Sequence, residues 1–444
     1  MIKTRTALAL FLFVALFSLS QLAAQDWIRT GTNRGAPIRV AVPDFKQSTA
    51  DPANQPMLTT FNDTLWNDLD NAGIFEMVAK SFYPAGSFGA PADLKLDAWG
   101  NPPPNAAMVA FGNLGASGGK LEVQGWLYDV KNPTSPQVLG KQYREDATVD
   151  NARVIAHRFA NEIITRLGGV PGATESKIYF ISNRTGNKEV WSMDYDGGSQ
   201  KQVTKLGGIA LSPRISPDNS RLAFSGLRDS WQIMMYSFDV DRLVSFPRHP
   251  GGNYSPAWSS DGTKIAFSSS MGTGASEIYI ADASGAGARR LTNGRTDVSP
   301  VFNPRTNGQI AFVSGRTGLP QIYIMDADGS AVQRMTDGGY ASSPSWSPNG
   351  QFLAFAWNRK YGPGAPGGQD IYVMEIATKR WIQLTHDSGP CDFPSWSPDG
   401  RHIVYANSAN GRASQTRIWS MLADGTQKHP LTGTGTDMPN WSWK

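Results

Sequence analysis

The chain has 444 residues with 41 Lys and Arg against 37 Asp and Glu, a formal net charge of +4. That is small for the length, and with no basic block beside it, nucleic-acid binding is excluded as a main task. With 40% apolar and 18% charged residues, 46 Gly and 29 Pro, the composition is that of a globular, turn-rich protein too long for one ordinary core.

Residues 1–24 carry Lys3 and Arg5, an apolar run over 7–17 and small residues before Gln25. This pattern predicts a secretory signal peptide cut after Ala24, the apolar run being too short to span a membrane. No Cys lies near the cut to take a lipid. The one cysteine of the chain, Cys391, leaves no internal disulfide, so stability has to come from packing. It reads as a small residue packed at a blade edge rather than a reactive thiol.

Residues 25–37 (QDWIRTGTNRGAP) are polar, Gly-rich and without period, and predict a flexible arm. Residues 38–45 (IRVAVPDF) alternate into a strand. Residues 59–72 set Phe61, Leu65, Leu69 and Ala72 on one helical face, with Gly73 as a stop. A short strand at 75–78, a loop around 100–105, strands at 108–111, 120–130 and 137–144, and a helix at 151–167 with Ile155, Phe159, Ile163 and Leu167 follow. Together they make an α/β domain of residues 38–168, joined by a linker at 169–175 to the rest. The G-x-S-x-G run Gly115-Ala116-Ser117-Gly118-Gly119 precedes a strand, not the helix a nucleophile elbow needs, so it reads as a turn.

From residue 176 onward one unit recurs about every 45 residues: 212–224 (SPRISPDNSRLAF), 255–267 (SPAWSSDGTKIAF), 299–312 (SPVFNPRTNGQIAF), 343–355 (SPSWSPNGQFLAF), 394–405 (PSWSPDGRHIVY) and a truncated copy at 439–444 (PNWSWK). Each copy reads as a hairpin, followed by an aromatic-rich strand such as 322–325 and a short fourth run such as 332–336. Four strands per repeat predict a β-propeller blade. The first blade-like segment, 177–194, lacks an inner strand and the last copy lacks partners, so the two chain ends should share a blade. The expected architecture is an α/β N-terminal domain followed by an all-β six-bladed β-propeller, residues 176–444, closed by the C-terminal strand and complete at Lys444.

The residues just before each repeated Pro would line one end of the central channel: Asn253 and Tyr254, Asp297 and Val298, Tyr340 and Ala341, Asp392 and Phe393, Asp437 and Met438. Three acids converging there could attract a basic partner or hold a hard cation such as Ca²⁺, whereas each alone reads as a turn cap. The Asp-Gly pairs at 196, 261, 328, 399 and 424 read as turn chemistry, and the repeated Trp residues as packing between blades. His157, His386, His402 and His429 share no spacing and make no metal or triad signature.

The Gly-rich arm, the IRVAVPDF strand, the small α/β domain, the S-P-x-W-S-P-D-G-x-x-I-A-F repeats and the segment Ser245-Phe246-Pro247-Arg248-His249 running into Tyr254-Ser255-Pro256-Ala257 together resemble the TolB family, periplasmic components of the Tol-Pal system. The resemblance implies a scaffold that is not an enzyme, needs no cofactor and does not insert directly into a membrane. It implies that the propeller mouth, with His249, docks the peptidoglycan-associated lipoprotein Pal, and toxins that imitate it. It further implies that the arm at 25–37 contacts TolA, in support of outer-membrane integrity and constriction at division. A monomer is expected. The alternative is a secreted propeller binding a glycan or small ligand in its channel. A prolyl-oligopeptidase type of enzyme, which carries similar repeats, would need a hydrolase elbow that the sequence does not offer.

Overall fold

The computed structural model describes residues 36–294, 296–359, 368–386 and 389–443. The expected signal peptide and most of the expected arm, 25–35, lie outside them. The chain divides into two units, Arg34–Glu175 and Ser176–Lys444.

In the first unit, a sheet runs in the order β3 (Phe75–Met77), β1 (Ile38–Ala41), β4 (Met108–Ser117), β5 (Lys120–Asp129), β6 (Gln137–Asp146), with the two-residue β2 (Lys46–Gln47) pairing β4. The expected first strand stops at Ala41, where Pro43 removes a ladder donor. β1 is parallel to β3 and β4, while β4, β5 and β6 form an antiparallel meander. The helix between β1 and β3, Gln55–Asn71, starts four residues before its periodic face does. The second long helix, Val149–Gly168, is capped by Thr148, whose hydroxyl accepts the Asn151 amide at 3.1 Å, and ends on left-handed Gly169. Phe61, Leu65 and Leu69 pack with Ile155, Phe159 and Ile163 in one core against the sheet. A Cβ on Gly125 would stand 2.7 Å from the Phe159 ring, so glycine in β5 is what lets that ring lie on the sheet. Ser117 pairs Lys120 across Gly118 and Gly119, both at positive φ, which makes the G-x-S-x-G run a two-residue hairpin turn. Residues read as a linker are docked instead: Ala173 and Thr174 are buried, and the Thr174 hydroxyl donates to the His157 carbonyl at 2.8 Å.

The second unit holds six four-stranded sheets among the described residues. Blades 1 to 5 open on Ile209–Ile215, Asn253–Trp258, Asp297–Phe302, Tyr340–Trp346 and Cys391–Trp396. In blade 6 the C-terminal strand Thr436–Trp441 pairs antiparallel with Lys177–Ser182, Trp441 opposite Ile178, and so closes the ring. The six innermost strands all begin at one end of the channel and finish at the other. Outer strands are shorter than the repeat suggests, Arg289–Arg290 and Gln333–Arg334 being two residues each. Short outer strands present little free edge for stray pairing. The Ser-x-Asp-Gly turns are held from within. Asp261 and Asp399 accept the hydroxyls of Ser259 and Ser397 at 2.5 Å each, and the glycines at 197, 262, 329, 400 and 425 all take positive φ.

Candidate functional site

The repeat breaks in blade 1. In three of the other blades an acidic or amide side chain at the start of the third strand accepts a threonine hydroxyl fifteen residues on: Glu189 from Thr204 at 2.5 Å, Gln321 from Thr336 at 2.8 Å, Asp370 from Thr385 at 2.7 Å. In blade 1 the same position is Gln232, and fifteen residues on stands Pro247. Gln232 is redirected to the next loop. It accepts the His249 amide at 3.1 Å and donates to the carbonyls of His249 and Gly251 at 3.1 and 3.2 Å. Asn253, fully buried, donates to the same His249 carbonyl at 3.0 Å. Two buried amides thus clamp the segment 249–251.

The clamp presents His249 and Tyr254 to an open depression of about 640 Å³ that Trp231, Arg248 and Asp229 also line. The Trp231 and Tyr254 rings lie 5.7 Å apart. The His249 imidazole stacks on the buried Phe267 ring at 5.4 Å and 17°. Burial lowers its pKa, partly offset by a hydrogen bond to the Gly285 backbone, so the ring is neutral at pH 7. The patch combines aromatic faces with one cation and one acid at its rim. The structure brings His249, Asn253 and Tyr254 together, Asn253 as support beneath the other two. Trp231 and Gln232 were not singled out from the sequence. The missing threonine at position 247 was the signal that could have found them.

Of the expected channel residues, Tyr254, Val298, Asp392 and Asp437 hold a common position around the ring, and the others do not. Each innermost strand carries a bulge at a residue of positive φ, namely Ser212, Ser255, Ser299, Ser343, Phe393 and Met438. The ring position is the residue before it: Leu211, Tyr254, Val298, Ser342, Asp392 and Asp437. Ser342 and Asp392 meet across blades at 3.5 Å, and the Asp392 charge acts on Asp437. Tyr340 stands three residues before its bulge, paired with Asn358, because Ser342-Ser343 doubles the serine; Ser342 takes the place assigned to it. Asp297, two before its bulge, turns into the blade. It is 0% exposed and ion-paired with Arg316 at 3.0 Å. The expected trio of converging acids is therefore a pair, and a hard cation there would find two carboxylates. Each of the two also caps its own bulge, Asp392 accepting the Phe393 amide at 2.7 Å and Asp437 the Met438 amide at 2.8 Å. Burial raises both pKa values, that of Asp437 to about 6 with the Asp392 charge adding to the effect.

Cys391 is buried, accepting from the Asn407 amide at 3.1 Å, as expected of a packed residue. No helix among the described residues is long and apolar enough to cross a membrane.

The family model described as TolB beta propeller domain matches residues 164–444, and that described as TolB amino-terminal domain matches 28–135. A Tol-Pal system protein TolB of Anaeromyxobacter dehalogenans (strain 2CP-1 / ATCC BAA-258) is 32% identical over 308 residues, 67% of this chain and 67% of that protein. A protein TolB homolog of Chlorobium chlorochromatii (strain CaD3) is 33% identical over 211 residues, 47% of this chain. The chain spans about half the length of that relative, 46%. The crystal structure of TolB from Acinetobacter baumannii superposes with a TM-score of 0.75 over 92% of this chain and 97% of that one. At 23% identity that likeness shows the fold.

Proposed function

The chain belongs to the TolB family, and from that premise we propose that it is a periplasmic scaffold of the Tol-Pal envelope system, its propeller docking the peptidoglycan-associated lipoprotein. The arm at 25–37 would contact TolA, in support of outer-membrane integrity and constriction at division. The observation that carries the docking reading is the clamped depression: His249 and Tyr254 are presented by buried Gln232 and Asn253 where blade 1 lacks the threonine partner of its third strand. A surface kept in shape by buried hydrogen bonds loses little entropy on binding. The aromatic faces of Trp231 and Tyr254 at this depression suit a binding surface.

The test is titration of the soluble lipoprotein domain against the full mature chain. His249→Ala and Tyr254→Ala are each expected to weaken binding by about tenfold or more, the cost of truncating an interface anchor. Gln232→Ala, which touches no partner in this reading, is expected to weaken binding to a similar degree by loosening the loop, about 1–3 kcal/mol in orphaned buried groups. Wild-type affinity in all three variants rules the depression out as the docking site.

A further inference from the structure

Two residues beyond each bulge the innermost strands share one register position, occupied by Arg214, Ala257, Val301, Ser345, Ser395 and Asn440, the first two facing Ala223 and Ala266 in the ladder. Five of the six are uncharged. Arg214 instead sends a long cation into the channel, where it lines both the narrow middle and a cavity of about 410 Å³ at the end where the innermost strands finish. Trp258, Trp346, Trp396, Trp441 and Trp443 also wall that cavity, with prolines and serines between them, and Arg214 is the one charged residue in its lining.

Packing does not account for this guanidinium. It donates to the neighbouring Pro213 carbonyl at 3.0 Å, and no described acid pairs with it. Desolvation pulls its pKa down to about 10 with no acid nearby to hold it up, and it stays charged at neutral pH. A guanidinium has five donors in a planar fork, and leaving most of them unmatched in a half-buried site is costly. The alanine at the same register in blade 2 shows that the strand does not need it.

We propose that Arg214 and the tryptophan-walled cavity bind a monocarboxylate with an apolar body. The fork matches a carboxylate in bidentate fashion. One cation neutralises one negative charge, whereas a phosphate dianion would leave a net charge among indoles and prolines. The cavity volume falls in the range of roughly 300–1,000 Å³ typical of small-ligand sites. A free organic acid and the C-terminal carboxylate of a peptide share this chemistry. The site lies at the far end of the channel from His249, whose loop adjoins the start of Asn253–Trp258 while the cavity adjoins its end.

The indoles supply the readout. Tryptophan fluorescence and calorimetry of the full mature chain are titrated with 3-phenylpropionate, with N-acetyl-glycyl-phenylalanine, and with the amide of each. An acid is expected to saturate the signal while its amide binds at least about tenfold more weakly. Binding of the free acid alone assigns a small-molecule ligand, and of the dipeptide alone a peptide end. Arg214→Ala is expected to erase the preference for acid over amide with Tm unchanged or higher, and Arg214→Lys to restore it only in part, because charge without the fork is not enough. Equal binding of acid and amide, no saturation by either acid up to about 10 mM, or a lowered Tm in Arg214→Ala with acid binding intact would each overturn the assignment. Lipoprotein docking is expected to be unchanged in Arg214→Ala, so this site and the docking depression fail separately.

Discussion

A chain shortened by residues 439–444 is expected not to form a stable propeller. Those residues carry Trp441, 4% exposed, whose burial contributes about 2–3 kcal/mol. They also carry the bonds that tie the last strand to its neighbours. The Trp441 indole donates to Ser176 at 2.6 Å and its amide to Ser395 at 3.0 Å, while Lys177 and Ser442 exchange two bonds at 2.8 and 2.9 Å. Asn440 accepts the Ile215 amide at 3.1 Å, and the Trp443 indole donates to the Ile215 carbonyl at 3.1 Å. At about 1 kcal/mol for each such bond, the total loss is comparable to the whole 5–15 kcal/mol that holds an ordinary domain folded. The loss is not local, because it leaves the Lys177–Ser182 strand as an open edge and blade 1 without a neighbour on that side. Near-UV circular dichroism and protease sensitivity of the shortened chain check this. A cooperative melt at the full-length temperature would mean that the ring does not depend on its last strand. Trp441→Ala is the milder form, expected to cost about 3–5 kcal/mol.

That closure was legible in the sequence because it rests on a count: an inner strand missing before Lys177 and one left over after residue 438. Periodic apolar positions likewise placed both long helices, since Phe61, Leu65 and Leu69, and Ile155, Phe159 and Ile163, repeat at the helical period over enough turns to be unmistakable. What the sequence did not show is register at single-residue precision. The bulge puts serine at positive φ in four blades but Phe393 and Met438 in two. Counting back from the serines where they precede the proline, and from the proline itself where Phe393 or Met438 does, assigned Tyr340 a channel position it does not hold, and grouped Asp297 with Asp392 and Asp437 although one pleat step separates them. The depression beside His249 was half visible. His249 and Tyr254 stood out through the resemblance, whereas Trp231 and Gln232 belong to the neighbouring sheet and reach the loop only through long-range contacts. Arg214 broke the repeat in plain view, but nothing in one dimension says whether an arginine has found a carboxylate.

The acids at the channel mouth give the second expected result. Asp437→Asn should stabilise the protein by about 3 kcal/mol at pH 8 and by only about 0.5 kcal/mol at pH 4. The sign follows from the direction in which burial moves this group. Asp437 has its pKa raised from 3.8 to about 6 in the folded chain, so between those values the folded state holds a proton that the unfolded state has released. Stability contributed by this group therefore falls as pH rises through that window. Above the window the full penalty is present, about 1.4 kcal/mol for each pH unit that separates the folded and unfolded values. Asparagine removes the penalty while its amide oxygen can still accept the Met438 amide, so the bulge keeps its cap. Relief of the neighbouring Asp392, whose own pKa is raised by burial, acts in the same direction. The wild type must be measured alongside, because Asp218, pulled down to about 2 by the Ser216 hydroxyl, and Asp399 lose their stabilising charge at lower pH in both proteins. Only the difference between the two urea midpoints isolates the channel. A difference that is the same at pH 4 and pH 8 would mean that the substitution acts through packing, and that the two carboxylates do not share their charge across blades 5 and 6.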